Sequence, residues 1–154
     1  MFAVESSVFI NRPVEYVFAF LSDKENLPQW GSTTFSVKRT SDGPKAVGTT
    51  YLIEEHPPMP TFQKVKFEYT CTAFEKNKNF AGTGVAITRA PITGFNDFFQ
   101  CEPRNEGTYV TMREEISPQG IFRMLQPLMR LMIGKIIRAD LAKAKEVLES
   151  RTSQ

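Results

Sequence analysis

From Val65 onward the side chains alternate, Val65, Phe67, Tyr69, Cys71 and Ala73 against Lys66, Glu68, Thr70 and Thr72. That period of two belongs to a strand with one buried and one wet face. Runs of this kind are divided by turn chemistry at Asp42-Gly43-Pro44, Pro57 to Pro60, Lys76 to Asn79, Ala90-Pro91 with Gly94, and Asn105 to Gly107. Six strands therefore fit between Thr33 and Ile116. A further strand, Ala3 to Ile10, comes first. Asn11, Arg12 and Pro13 end it and start a helix, with proline at an early position where its missing N–H costs nothing. Val14, Val17, Phe18 and Leu21 share one face of that helix. Ser22-Asp23 predicts the cap of a second short helix ending around Pro28, which delivers Trp30 into the turn at Gly31. After Ser117-Pro118 the period becomes helical until about Ser150, and Pro127 either kinks this helix or opens a new one after a short turn. Ile137, Leu141, Ala144 and Leu148 give its last turns one apolar stripe.

One strand, two short helices, six antiparallel strands and a long C-terminal helix make a specific order. With INRPVEYVFAFLSDKENLPQW near the start, VGTTY at Val47 to Tyr51, NEGTYVTMREEISPQG at Asn105 to Gly120 and DLAKAKEVLE at Asp140 to Glu149, the chain resembles the START-like, or SRPBCC, superfamily. That group includes polyketide cyclase/dehydrase and lipid-transport-like proteins and the birch-pollen-allergen relatives. The resemblance covers essentially the whole chain, a single START-like domain over residues 1–154. It implies an α+β helix-grip fold, in which a curved seven-stranded antiparallel sheet wraps around the long C-terminal helix, two short helices follow the first strand, and a hydrophobic cavity lies between sheet and helix.

Composition narrows the function classes. The 154 residues carry 19 Lys+Arg and 17 Asp+Glu for a formal charge of +2, too small and too dispersed for a nucleic-acid footprint. Two cysteines, Cys71 and Cys101, are too few for a disulfide scaffold and are expected as buried free thiols of a cytoplasmic protein. The start MFAVESSVFI lacks the features of a signal peptide. No run approaches the roughly 18 apolar residues of a membrane span, so no stable membrane insertion is expected. His56, the sole histidine, precedes Pro57-Pro58-Met59-Pro60 and reads as a solvated loop residue. No zinc-ligand spacing and no Ser/His/Asp or Cys/His arrangement is present, so neither a metal nor a cofactor is expected. Gly82-Thr83-Gly84 lacks the setting of a dinucleotide loop and reads as a flexible or bulged strand.

The stretch IFRMLQPLMRLMIGKII, Ile121 to Ile137, is apolar around most of its circumference yet holds Arg123, Arg130 and Lys135. Leu125, Met129, Met132 and Ile136 follow at spacings of four, three and four and share a face, which ordinary core packing or a cavity wall would each explain. Arg123, Arg130 and Lys135 would also allow an interfacial helix, but the mixed-sign residues Lys143, Lys145, Glu146 and Glu149 further along supply a solvent face, as a helix docked on a sheet requires, so the protein is expected to stay off anionic liposomes. The resemblance favours the cavity, and methionines conform to varied apolar shapes. Trp30 sits where the superfamily carries a tryptophan bordering the cavity mouth, although it could equally plug the helix–sheet corner. Tyr51 and Ile53 on one strand, Phe67 and Tyr69 on another, and Phe99 and Met112 on two more are the remaining inward-facing candidates.

Two acids fall in phase with apolar neighbours: Asp97 with Phe95, Phe99 and Cys101, and Glu114 with Val110, Met112 and Ile116. If they face inward, Arg89 or Arg113 could neutralise one, and desolvation could raise an unpaired one into general-acid range. The simpler reading puts both at the solvated rim of the sheet. The function classes left are a carrier or sensor of a hydrophobic small molecule (lipid, isoprenoid or polyketide-like), a polyketide cyclase/dehydratase-type enzyme using the same cavity with Glu114 or Asp97 as proton donor, and a partner-binding module. Ligand identity and oligomeric state lie beyond the sequence.

Overall fold

The computed structural model describes residues 1–58 and 64–151. Its elements are β1 (Phe2–Ile10), α1 (Val14–Ser22), a 3-10 segment (Lys24–Gln29), β2 (Thr34–Arg39), β3 (Thr50–Glu55), β4 (Val65–Glu75), β5 (Asn79–Ala86), β6 (Ile92–Arg104), β7 (Gly107–Pro118), a second 3-10 segment (Gly120–Leu125) and α2 (Gln126–Ser150). All the strands form one antiparallel sheet in the order β1-β7-β6-β5-β4-β3-β2. Each neighbour except β1–β7 is a chain neighbour, and α1 with the first 3-10 segment carries the chain from one sheet edge to the other. This is the helix-grip fold that the element order implied.

Local chemistry accounts for the boundaries. Asp23 caps the 3-10 segment, its carboxylate accepting from the Glu25 amide at 3.1 Å, and Pro28 sits inside that segment. Pro127 opens α2 at its first turn rather than kinking it, where a missing N–H leaves nothing unsatisfied. The far end of α2 is tied down: the Asn11 amide donates to Glu149 Oε2 at 2.8 Å, and Arg12 donates to the carbonyls of Glu149 at 2.6 Å and Arg151 at 2.7 Å. These contacts fix the helix against the end of β1.

The concave face of the sheet and the inner face of α2 enclose the main core, with Ile10, Val17, Leu21, Val110, Leu141 and Ala144 buried among its members. The predicted alternation on β4 holds, with Val65, Phe67, Tyr69 and Cys71 buried. Its partner strand has glycine where those rings need room: a Cβ on Gly82 would collide with the Tyr69 ring. The Gly82-Thr83-Gly84 run is thus an ordinary stretch of β5, and the register shift falls on β4 between Cys71 and Ala73. Both cysteines are free and buried, and burial pushes the Cys101 thiol up to about 12.

Candidate functional site: a cavity with an acidic wall

Between the sheet and α2 lies a cavity of about 130 Å³. Seven of the apolar positions read from the sequence line it: Trp30, Ile53, Phe67, Phe99, Met112, Met129 and Ile136. Their strand members sit on one face because the pleat alternates, and β3, β4, β6 and β7 each contribute. Trp30 is buried at the corner between the 3-10 segment and the sheet, with its ring edge-on to Phe99 at 6.1 Å. Its Nε1 has no hydrogen-bond partner among the described residues.

Four candidates stand elsewhere. Tyr51 and Tyr69 are buried but lie behind the wall, bordering a separate small hollow with Cys71 and Phe80. Leu125 ends the second 3-10 segment and is exposed. Met132 is only half-buried and off the cavity wall. The inward stripe of α2 instead runs Met129, Ile133, Ile136 and Ile137, and then Asp140. The helix is rotated from the phase inferred from Leu125 and Met132, since its docking is set by the long stripe through Ile137, Leu141, Ala144 and Leu148.

Asp97 and Glu114 are not at a wet rim. They face each other across β6 and β7 and both line the cavity. Asp97 is 2% exposed and takes two partners. Lys24 Nζ stands 2.5 Å from its Oδ2, and the Tyr69 hydroxyl donates to its Oδ1 at 2.6 Å. The neutralising cation is therefore Lys24, not Arg89 or Arg113; Arg89 is exposed and Arg113 pairs with Glu115 at 3.1 Å. The buried Lys24 ammonium also lies over three rings, 4.7 Å from the centroid of Tyr69, 5.0 Å from Phe99 and 5.7 Å from Phe80. Such faces stabilise a desolvated cation.

The wall holds further acids that inspection of the chain missed. Glu55 continues the Tyr51, Ile53 alternation by one more step and accepts from Thr34 Oγ1 at 3.3 Å. Asp140 accepts from the Ser32 amide at 3.0 Å. Four carboxyl groups thus line the cavity beside one ammonium, which Asp97 already engages. Glu114 has no hydrogen bond among the described residues, and burial pushes its carboxyl up to about 8, reinforced by the negative charges of Asp97 and Glu55 and opposed by Lys24. Burial likewise raises Glu55 to about 7, and it raises Asp140 against the pull of the Ser32 amide. Tyr69 is held well above the usual phenol range, first by burial and then by the adjacent Asp97 charge. His56 lies after β3 and outside the cavity, its ring stacked on Phe35 at 4.3 Å.

A model of the family described as polyketide cyclase / dehydrase and lipid transport matches residues 1–149. The chain belongs to this family. Solved structures agree on the fold. One similar structure is TTHA0849 from Thermus thermophilus, with a TM-score of 0.78 at 14% identity over 98% of this chain and 99% of that one. Another is the Zhui aromatase/cyclase from a Streptomyces species, R1128, with 0.78 at 12% identity over 97% and 94%. A third is Ara h 8.0201, with 0.64 at 11% identity over 97% and 99%. Among curated proteins no sequence matches the chain. At these identities the neighbours speak for the helix-grip architecture of this family member and leave its ligand open. No helix among the described residues is long and apolar enough to cross a membrane.

Proposed function

We propose that this family member binds a hydrophobic small molecule of the lipid, isoprenoid or polyketide-like class in the cavity between sheet and α2. The observation that carries the reading is the cavity itself, about 130 Å³ with mostly apolar and aromatic walls. An engineered apolar cavity of about 150 Å³ takes up benzene, so the space suits one ring or a short branched segment of a larger ligand. A concave apolar site with few polar groups is the usual form of a small-molecule site.

A second reading, a cyclase/dehydratase-type enzyme, is favoured by Glu114. A carboxyl held neutral near pH 7 beside an apolar space is equipped to donate a proton to a bound carbonyl or hydroxyl, and Asp97, engaged by Lys24 and Tyr69, is not free for that task. Of the two acids in phase on β6 and β7, the enzyme reading therefore rests on Glu114.

The test is native mass spectrometry of freshly purified protein combined with titration by a hydrophobic fluorescent dye. Saturable dye binding is expected, and Ile136→Trp, which fills the space from a half-buried position, should abolish it while leaving the protein folded. Dye binding unchanged by Ile136→Trp would refute the cavity as the site. A co-purified compound that is released unchanged after incubation with fresh protein supports binding, and one that returns with altered mass supports catalysis.

A further inference from the structure

The second 3-10 segment and the outer side of the first turns of α2 are apolar and uncovered. Ile121, Met124, Leu128 and Leu131 are 68, 82, 61 and 60% exposed. The family reading and the inner stripe of α2 do not use these residues. Scattered exposed apolar residues need no explanation, but four large ones within eleven consecutive positions form a patch of the kind that marks an interaction surface. Leu128, Leu131, Lys135 and Arg138 follow at spacings of three, four and three, so one outward line begins apolar and turns basic.

Charge selects the partner. Between Glu115 and Asp140 the chain contains Arg123, Arg130, Lys135 and Arg138 and no carboxylate. All four cations are exposed, and none forms an ion pair with a described residue. This contrasts with Lys143 and Lys145 farther along α2, which pair with Glu146 at 3.5 Å and Glu149 at 2.7 Å. An apolar patch edged by unpaired cations is the pattern of a helix that lies in a lipid interface. A second copy of the chain fits less well, because a two-fold contact through this patch would bring the same cations face to face.

We propose that the outer face of residues 121–138 docks on the surface of an anionic bilayer, with Ile121, Met124, Leu128 and Leu131 in the headgroup–acyl boundary and the four cations on lipid phosphates. The segment lies on the membrane and does not cross it. Its inner side chains Met129, Ile133 and Ile136 remain the cavity wall, so the docked turns are the ones that separate the cavity from the lipid. The proposal stands on the outer face and holds whether or not the cavity carries a ligand.

The test is sedimentation of the full chain with vesicles of phosphatidylcholine alone and of phosphatidylcholine with about one-third phosphatidylglycerol, at about 50 mM and about 500 mM salt. Binding is expected to the anionic vesicles at low salt, weakened by at least about tenfold at high salt or on neutral vesicles. The pairs Leu128→Ser/Leu131→Ser and Lys135→Glu/Arg138→Glu should each weaken it by about tenfold or more, with unchanged circular dichroism. Val47→Ser, an equally exposed apolar residue on the β2–β3 connection, should leave it intact. The idea is overturned by protein that stays in the supernatant with anionic vesicles at low salt, or by binding that ignores both pairs of substitutions. A solution dimer that Leu128→Ser/Leu131→Ser dissociates, without vesicle binding, would assign the face to a second copy and equally overturn it.

Discussion

Glu114→Gln should change the way stability depends on pH. In the unfolded chain the Glu114 carboxyl ionises near its ordinary value of 4.5, whereas in the folded protein burial holds it up to about 8. Between those values the folded state keeps a proton that the unfolded state has lost, so stability falls as pH rises through the window. A carboxyl held up over that whole interval corresponds to an upper limit of ~5 kcal/mol, at ~1.4 kcal/mol per pH unit. Water entering the cavity solvates an ionised Glu114 in part and so reduces this limit, to a net effect of ~2–3 kcal/mol. Glutamine has nearly the same shape and does not titrate. Urea unfolding at pH 5 and pH 9 should therefore show the wild type losing ~2–3 kcal/mol more than the variant between the two conditions. Comparing slopes rather than absolute stabilities cancels any constant cost of packing the new amide. Parallel pH profiles, within ~0.5 kcal/mol, would refute the placement of an unpaired carboxyl in this wall.

Lys24→Met should destabilise the protein by ~3–5 kcal/mol at neutral pH, because it leaves Asp97 buried with only the Tyr69 hydroxyl; adding Asp97→Asn should restore much of the loss in the same urea assay, and a milder effect that the second substitution does not relieve would argue against the pair. Gly134→Ala should stabilise α2 by ~0.5–1 kcal/mol, since the position is helical and the new Cβ meets nothing closer than Val4 Cγ1 at 4.0 Å; a lowered urea midpoint would show that the helix needs more room there.

The strands were legible because β4 carries a clear period of two and the runs on either side are bounded by turn residues that cannot continue them. The phase of α2 was not. Two stripes compete in its sequence, Leu125-Met129-Met132-Ile136 and the one through Ile137, Leu141, Ala144 and Leu148; of the first, Met129 and Ile136 reach the cavity and Leu125 and Met132 do not. Four positions before Ile137 stands Ile133, which does line the cavity; the longer stripe wins because it buries more side chains against the sheet. Glu55 was within reach of the same reasoning, one alternation beyond Ile53. Lys24 was not, since lysine is rarely fully buried and nothing local in KENLPQ separates it from a surface residue. Its role depends on where the 3-10 segment crosses β6, some seventy positions away. That distance is also why the rim looked reasonable for Asp97: without its cation, a central carboxylate on β6 would have had to carry an uncompensated charge in the core.

The asymmetry between Asp97 and Glu114 organises the site. They occupy opposed positions on adjacent strands, yet the single ammonium satisfies one of them only. Asp97 has a cation, a phenol donor and three rings beside that cation, so its surroundings are complete whether the cavity is full or empty. Glu114 has none of these and faces the cavity space. Of this opposed pair, Glu114 is therefore the one whose state a ligand can change. An apolar group that expels water from beside it withdraws the remaining solvation of the carboxylate and strengthens its hold on the proton, whereas a group that donates a hydrogen bond or brings positive charge does the reverse. Binding and protonation are linked, and the sign of that linkage is set by whatever chemical group the ligand places against Glu114.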